Sequence, residues 1–168
     1  DIRIIDQNDS TNLSSTAHLE YFDYGTNTAY LWIKKTILAT GNPNYVWIYY
    51  GNTTAAYPFS NTTKENTYGT AFDCVHHFEE IADSYQDETD NNIDETNVNT
   101  SDTNALVYKG RDIDGNSDYI TLADVLDESS PPYTYSFWVY PNNVSASVQV
   151  IYSNGSDNPL VKLEEDDI

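Results

Sequence analysis

The segment Asp112-Ile113-Asp114-Gly115-Asn116-Ser117-Asp118 sets oxygen-bearing side chains at alternate positions. That spacing lets a loop wrap a hard cation, and Asp112, Asp114 and Asp118 are the residues that would hold Ca2+. The segment lacks the glycine position and the terminal glutamate of an EF-hand. It therefore reads first as a tight turn between strands and second as a calcium loop. His76 and His77 stand side by side. In an extended chain such neighbours point to opposite faces, so they do not readily share a metal, and His18 is remote in sequence. They read as structural residues. Glu79-Glu80 offers the carboxylates of glycoside hydrolysis, but that reaction needs two carboxylates at a set separation across a cleft, which adjacency does not imply. No Ser-His-Asp set stands out from the background of a serine-rich chain. The chain is read as not an enzyme, with no cofactor beyond the Ca2+ that the Asp112–Asp118 turn would take.

A second chemistry is aromatic stacking. The runs Tyr30-Leu31-Trp32-Ile33-Lys34 and Tyr45-Val46-Trp47-Ile48-Tyr49-Tyr50 each alternate with period two. Leu31, Ile33, Val46, Ile48 and Tyr50 share one parity and read as an aliphatic core face. Tyr30, Trp32, Lys34, Tyr45, Trp47 and Tyr49 share the other. An aromatic face of this kind is either covered by further protein, the commoner fate, or used to stack on sugar rings. Tyr30, Trp32, Tyr45, Trp47 and Tyr49 are accordingly the candidate contacts to a partner or a glycan.

A third is modification. Asn-x-Ser/Thr acceptors begin at Asn8, Asn12, Asn52, Asn61, Asn99, Asn143 and Asn154. Five of them, Asn12, Asn52, Asn61, Asn99 and Asn154, fall in expected loops or turns, where a glycan meets solvent. This points to an exported glycoprotein.

Composition narrows the partners. Among 168 residues, 27 Asp and Glu face seven Lys and Arg, a formal charge of −20. A surface so acidic excludes nucleic acid, which needs a basic face, and docking on anionic lipid. It leaves many carboxylates for divalent cations. One cysteine, Cys74, precludes an intrachain disulfide and reads as a small buried residue within an apolar run. No apolar run approaches membrane-spanning length, so no direct membrane insertion is expected. With no methionine, the chain reads as a processed or cropped segment of something longer.

The elements that must position these residues are strands. Ile2–Ile5, His18–Phe22, Ala29–Lys34 and Tyr45–Tyr50 come first, with residues 29–50 expected to form an antiparallel pair across the turn Gly41-Asn42-Pro43-Asn44. Asp83–Asn104 is acidic and nearly devoid of apolar residues, the composition of a long surface loop. Strands resume at Ala105–Tyr108, Tyr119–Leu122, Tyr133–Tyr140, Ser147–Tyr152 and Leu160–Leu163, punctuated by Asp114-Gly115-Asn116, Pro131-Pro132, Pro141-Asn142-Asn143 and Asn154-Gly155. There is no amphipathic helix and no exact repeat. The expected fold is all-β, as antiparallel β-sandwich or jelly-roll units, two in tandem.

"DIRIID", "YLWIKK" and "VWIYYGNTTA", with Tyr49-Tyr50-Gly51-Asn52 at a strand end, resemble a domain of unknown function common in archaeal and bacterial surface proteins. "AFDCVHHFEE", "GRDIDGNSDYITL" and "YTYSFWVYPNN" resemble a concanavalin A-like (laminin-G-like) sandwich: His77 and Phe78 match its junction, and Ser136, Trp138, Val139 and Pro141 match one of its strands. His76 stands where that family usually has Trp, and acidic residues replace its loop glycines. The resemblance implies a surface-protein domain over residues 1–72 and the first part of a sandwich over residues 73–168, both incomplete. It implies a structural or adhesive module of an extracellular cell-surface glycoprotein, a part of a filament, sheath or surface layer. Its partners would be neighbouring subunits or the remainder of a longer chain. The alternative is a glycan-binding module of an adhesin or a carbohydrate-active enzyme. Buried Trp32, Trp47 and Tyr49 would favour the first, an exposed coplanar row the second.

Overall fold

The computed structural model describes residues 2–37, 44–80, 84–122, 134–142, 149–153 and 159–163. The chain forms two compact units, Asp1–Ser129 and Ser130–Ile168. Among the described residues the first unit is built from small antiparallel sheets with one short α-helix and the second holds a two-stranded antiparallel sheet, so the fold is all-β.

The first unit opens with β1 (Arg3–Asp6), β2 (Ala17–Asp23), β3 (Thr28–Ile33) and β4 (Val46–Tyr49). Alternating branched and aromatic residues produce these four strands as the sequence predicts. The pairing differs from expectation. β3 pairs with β2, in register from Ala17↔Ile33 to Asp23↔Thr28, and not with β4. A short turn decides this. The Asp23 carboxylate accepts from Gly25 N at 2.7 Å and from the Thr26 hydroxyl at 2.7 Å, and Asn27 adopts φ 53°. Such a turn closes at far less entropic cost than the long 34–45 connection. β4 pairs instead with β1, placing Ile4 opposite Ile48 and Ile5 opposite Trp47. Gly41, Asn42 and Pro43 lie outside the described residues.

Ile4, Ala17 and Phe59 are the buried centre, and Ile2, Leu13, Leu19, Leu31, Ile33 and Val46 pack on it. The aliphatic parity is thus a core face as far as Leu31, Ile33 and Val46. It fails at Ile48 and Tyr50, which are 49% and 83% exposed. A 3-10 turn at Ser14–Thr16 is pinned from below by Ile4 N donating to Ser14 Oγ at 3.0 Å.

Helix α1 (Asn61–Tyr68) was not expected. Its residues are almost all polar, so no apolar stripe announces it. Ser60 and Thr63 cap it reciprocally: Thr63 N donates to Ser60 Oγ and Ser60 N to Thr63 Oγ1. Gly69 ends it at φ 64°. The inward face carries Lys64, Thr67 and Tyr68, whose partners are polar.

The largest correction concerns residues 84–104, the described part of the loop expected over 83–104. They are not a surface loop. They supply β5 (Ser84–Tyr85), β6 (Glu95–Val98) and β7 (Ser101–Asn104), and Tyr85, Asp87, Glu88, Thr89, Ile93, Glu95 and Thr100 are buried. Side chains take the place of an apolar core. The Asp87 carboxylate accepts from Val75 N, Thr89 N, the Thr89 hydroxyl and Ile93 N at 2.6–3.1 Å. Residues 105–108 form the turn into β8 (Lys109–Asp112), not a strand, because Tyr108 takes φ 53° and Ala105 N closes on Tyr108 O. β8 pairs with β7, while β9 (Tyr119–Leu122) completes the sheet β5-β6-β9. Arg111 ties these sheets together. It donates to Thr100 Oγ1 at 3.0 Å and Thr100 O at 2.8 Å, pairs with Asp102, and lies 4.9 Å from the centre of the Tyr85 ring.

In the second unit, β10 (Gln149–Ser153) pairs with β11 (Pro159–Leu163). Residues 134–140, expected as strand, carry no regular structure. Instead the Tyr135 ring packs 4.7 Å from Tyr152, and Trp138 and Tyr140 are exposed. Pro131, Pro132, Asn143, Asn154 and Gly155 lie outside the described residues.

Candidate functional site

Strand β2 carries His18 and Glu20, separated by one residue, with Glu20 at the irregularity between Leu19 and Tyr21. Across the hairpin, Trp32 sits opposite His18. The end of α1 brings Tyr68, and the extended segment after it brings His77 and Glu79. Phe78, between them, is held at φ 63°. A bulky residue in that region is strained by about 1–3 kcal/mol, and such strain persists only where the surroundings impose it. Glu88 arrives from the turn ahead of β6. Residues more than fifty positions apart thus converge in one buried cluster.

The three rings stack in a column: Trp32 on His77 at 4.6 Å and His77 on His18 at 5.4 Å, with interplanar angles of 25° and 11°. The Tyr68 hydroxyl bridges His18 Nδ1 and His77 Nε2, each at 3.1 Å. Glu20 lies beneath: Trp32 Nε1 donates to its Oε2, and His77 Nδ1 is 3.3 Å from the same oxygen. Glu88 contacts His18 at 3.8 Å and Lys64 at 2.9 Å. Burial dominates the electrostatics. It lowers His18 to about 4 and His77 to about 3, so both imidazoles are neutral at physiological pH. It raises Glu20 to about 7, against the pull of the Trp32 hydrogen bond, and Glu79 to about 7 with Glu80 adding. Glu88 is raised by burial too, in opposition to Lys64. The donor atoms of Glu20, His77 and Glu79 lie within 4.8 Å of one another, and so do those of Glu79, Glu80 and Glu88. Neutral imidazole nitrogen and carboxylate oxygen can together hold a metal or share protons.

His76 faces a different environment from His77. Its Nε2 donates to Ile93 O at 2.8 Å and its Nδ1 is 3.2 Å from Glu95. Sequence spacing, which set His18 apart as remote, does not reveal that His18 and His77 meet. The available signal was His18-x-Glu20 and His77-x-Glu79, two copies of one pattern on extended chain.

The expected aromatic contacts divide. Tyr30 packs on the Tyr21–Tyr108 stack, 5.6 Å from Tyr108, and Trp32 is inside the column. Tyr45, Trp47 and Tyr49 are 43–47% exposed on and beside β4. Tyr45 and Trp47 meet edge to face at 87°, and the Tyr49 hydroxyl donates to Asp9 at 2.6 Å. They do not form a coplanar row.

Asp112, Asp114 and Asp118 are not drawn together. Asp114 accepts from the backbone and side chain of Asn116, and Asp118 accepts from Asp114 N at 3.1 Å, so two of the three carboxylates close the turn itself. Cys74 is half-buried, and burial pushes its thiol up to about 11, which makes it a poor nucleophile. Of the acceptor asparagines, Asn8, Asn12, Asn52 and Asn99 are exposed, and Asn61 begins α1. Asn143 and Asn154 lie outside the described residues. The hydroxyl that completes the Asn12 acceptor, Ser14 Oγ, is buried, and that of the Asn61 acceptor, Thr63 Oγ1, is held in the helix cap.

Residues 1–101 match the family described as Domain of unknown function (DUF2341). The chain belongs to this family. The DUF2341 match contains every member of the histidine–carboxylate cluster, from His18 to Glu88, and the exposed aromatics of β4. No curated protein and no solved structure matches the chain. Among the described residues no helix is long and apolar enough to cross a membrane.

Proposed function

We propose that this DUF2341 chain is a structural or adhesive module of an extracellular cell-surface glycoprotein. It would serve in an assembly such as a filament, sheath or surface layer and would not act as an enzyme. The observation that carries the reading is β4. It belongs to a two-stranded sheet, and Trp47, Ile48 and Tyr49 on it are each close to half exposed. An edge strand this apolar is a template for another chain, and aromatic area of this size is characteristic of interfaces. Its partner is a neighbouring subunit or the remainder of a longer chain. The exposed acceptors at Asn8, Asn52 and Asn99 support the glycoprotein part of the reading. The concanavalin A-like likeness of residues 73–168 is part of the same proposal.

Joint exposure of Tyr45, Trp47 and Tyr49 favours the second reading, a glycan-binding module. The perpendicular Tyr45–Trp47 pair weighs against it, since a pyranose stacks on a flat ring face. Sedimentation velocity of residues 1–168 over a wide concentration range tests the choice. Concentration-dependent association, lost in Trp47→Lys, is the expected result. A monomer at every concentration, with sharp near-ultraviolet circular dichroism, overturns the assembly reading in favour of the self-contained module.

A further inference from the structure

We propose that Glu20, His77 and Glu79 form a binding site for a divalent transition metal of the zinc class. Three observations converge on it. First, the donor atoms of these residues lie within 4.8 Å of one another. Bonds of about 2.0–2.2 Å to a four-coordinate ion place donors about 3.4 Å apart, so small side-chain rotations close the site. Second, each of the three contributes a buried atom with no hydrogen bond: Glu20 Oε1, His77 Nδ1 and Glu79 Oε2. The Glu20 side chain is 0% exposed and that of His77 7%, so water does not satisfy these atoms from outside. Buried polar atoms are nearly always paired, and three orphans on one trio call for a common partner. Third, the surrounding charge is uncompensated. Glu20, Glu79, Glu80 and Glu88 gather here, and the described cations beside them are already engaged, Lys64 with Glu88 and Arg111, which donates to Glu80 O, with Asp102. Buried carboxylates without counter-ions are costly, and a divalent ion offsets that cost.

The outer contacts suit a metal-bound histidine. The Tyr68 hydroxyl has one proton to give. Donated to His18 Nδ1, it leaves the phenolic oxygen to accept from His77 Nε2–H, and His77 Nδ1 then presents its lone pair toward Glu20 and Glu79. Phe78 at φ 63° is the backbone turn between the two ligands His77 and Glu79. One imidazole and two carboxylates suit zinc, whereas calcium takes six to eight oxygens and no nitrogen.

The test uses residues 1–168 stripped with chelator and titrated with ZnCl2 by calorimetry, with the melting temperature followed in parallel. One Zn2+ per chain and a higher melting temperature are expected, because a ligand of the folded state stabilises it. Glu20→Gln and Glu79→Gln, which keep shape, should each weaken binding at least tenfold. Histidine-ring nitrogen NMR of the wild type should show Zn2+ moving the Nδ1 resonance of one imidazole, a readout independent of whether the variants fold. No uptake, uptake unchanged in both folded variants, an unmoved ring resonance, or a preference for Ca2+ over Zn2+ would each overturn the proposal.

Discussion

Asp87 illustrates how a single carboxylate replaces a hydrophobic core. Burial alone would raise its pKa, but the Thr89 hydroxyl and the backbone N–H groups of Val75, Thr89 and Ile93 outweigh burial and hold it below the usual carboxylate range. A group depressed in the folded state contributes stability above its unfolded value, near 3.9, and loses it as pH falls through the folded one. Asp87→Asn offers a single oxygen to the same donors and should cost about 2–3 kcal/mol at neutral pH, read by urea denaturation. Glu95 behaves in the opposite sense. Burial, with Asp87 and Glu80 adding, raises it from 4.5 to about 7, while burial lowers His76, its neighbour at 3.2 Å. Near the ordinary histidine value of 6.5 the unfolded pair gives up its histidine proton, while the folded pair keeps one on Glu95. As pH rises past the ordinary histidine value of 6.5, only the folded pair still holds that proton, so stability falls through about 7. The melting temperature should therefore drop as pH rises from 6.5 through about 7, and Glu95→Gln should flatten that drop. An equal slope in the variant would assign the effect to other carboxylates.

Helix α1 is held by its ends, since its residues provide little apolar burial and eight of them are too few for stability in isolation. Ser60→Ala removes the oxygen that receives Thr63 N and should cost about 1 kcal/mol. Because Lys64, Thr67 and Tyr68 ride on this helix, the loss should reach the cluster. The hydrogen bonds of Tyr68 to His18 and His77 should weaken, seen as faster exchange of the histidine ring protons. Thermal melting together with that exchange checks the point. A lower melting temperature with unchanged ring exchange would confine the cap's influence to the helix.

The molecule as a whole carries 27 acidic and seven basic side chains, and many of the acidic groups are crowded in the first unit. Self-repulsion in the folded state exceeds that in the expanded one, so screening should favour folding. The melting temperature is expected to rise between about 0.02 and 0.5 M NaCl as the Debye length shrinks from tens of ångströms to a few. A fall would show that the ion pairs Lys35–Asp6, Lys64–Glu88 and Arg111–Asp102 matter more than net repulsion.

Period-two alternation and turn chemistry are local properties, and they sufficed for the all-β class, for β1 to β4, for β9 and for the Asp114–Asp118 turn. Which strands pair depends on chain closure between distant segments, so β4 finding β1, and β3 finding β2, was decided only by the tertiary structure. The same holds for residues 84–104. A buried segment whose partners are side-chain carboxylates and hydroxyls has the composition of a solvated loop, and only the donors around Asp87 and Thr100 distinguish them. Helix α1 is hidden for a related reason, because its inward face is polar. His18 and His77 are separated in sequence by β3, β4 and α1, and no spacing rule joins them. Their stacking follows from the β2–β3 hairpin, the Phe78 turn and the end of α1 arriving at one place.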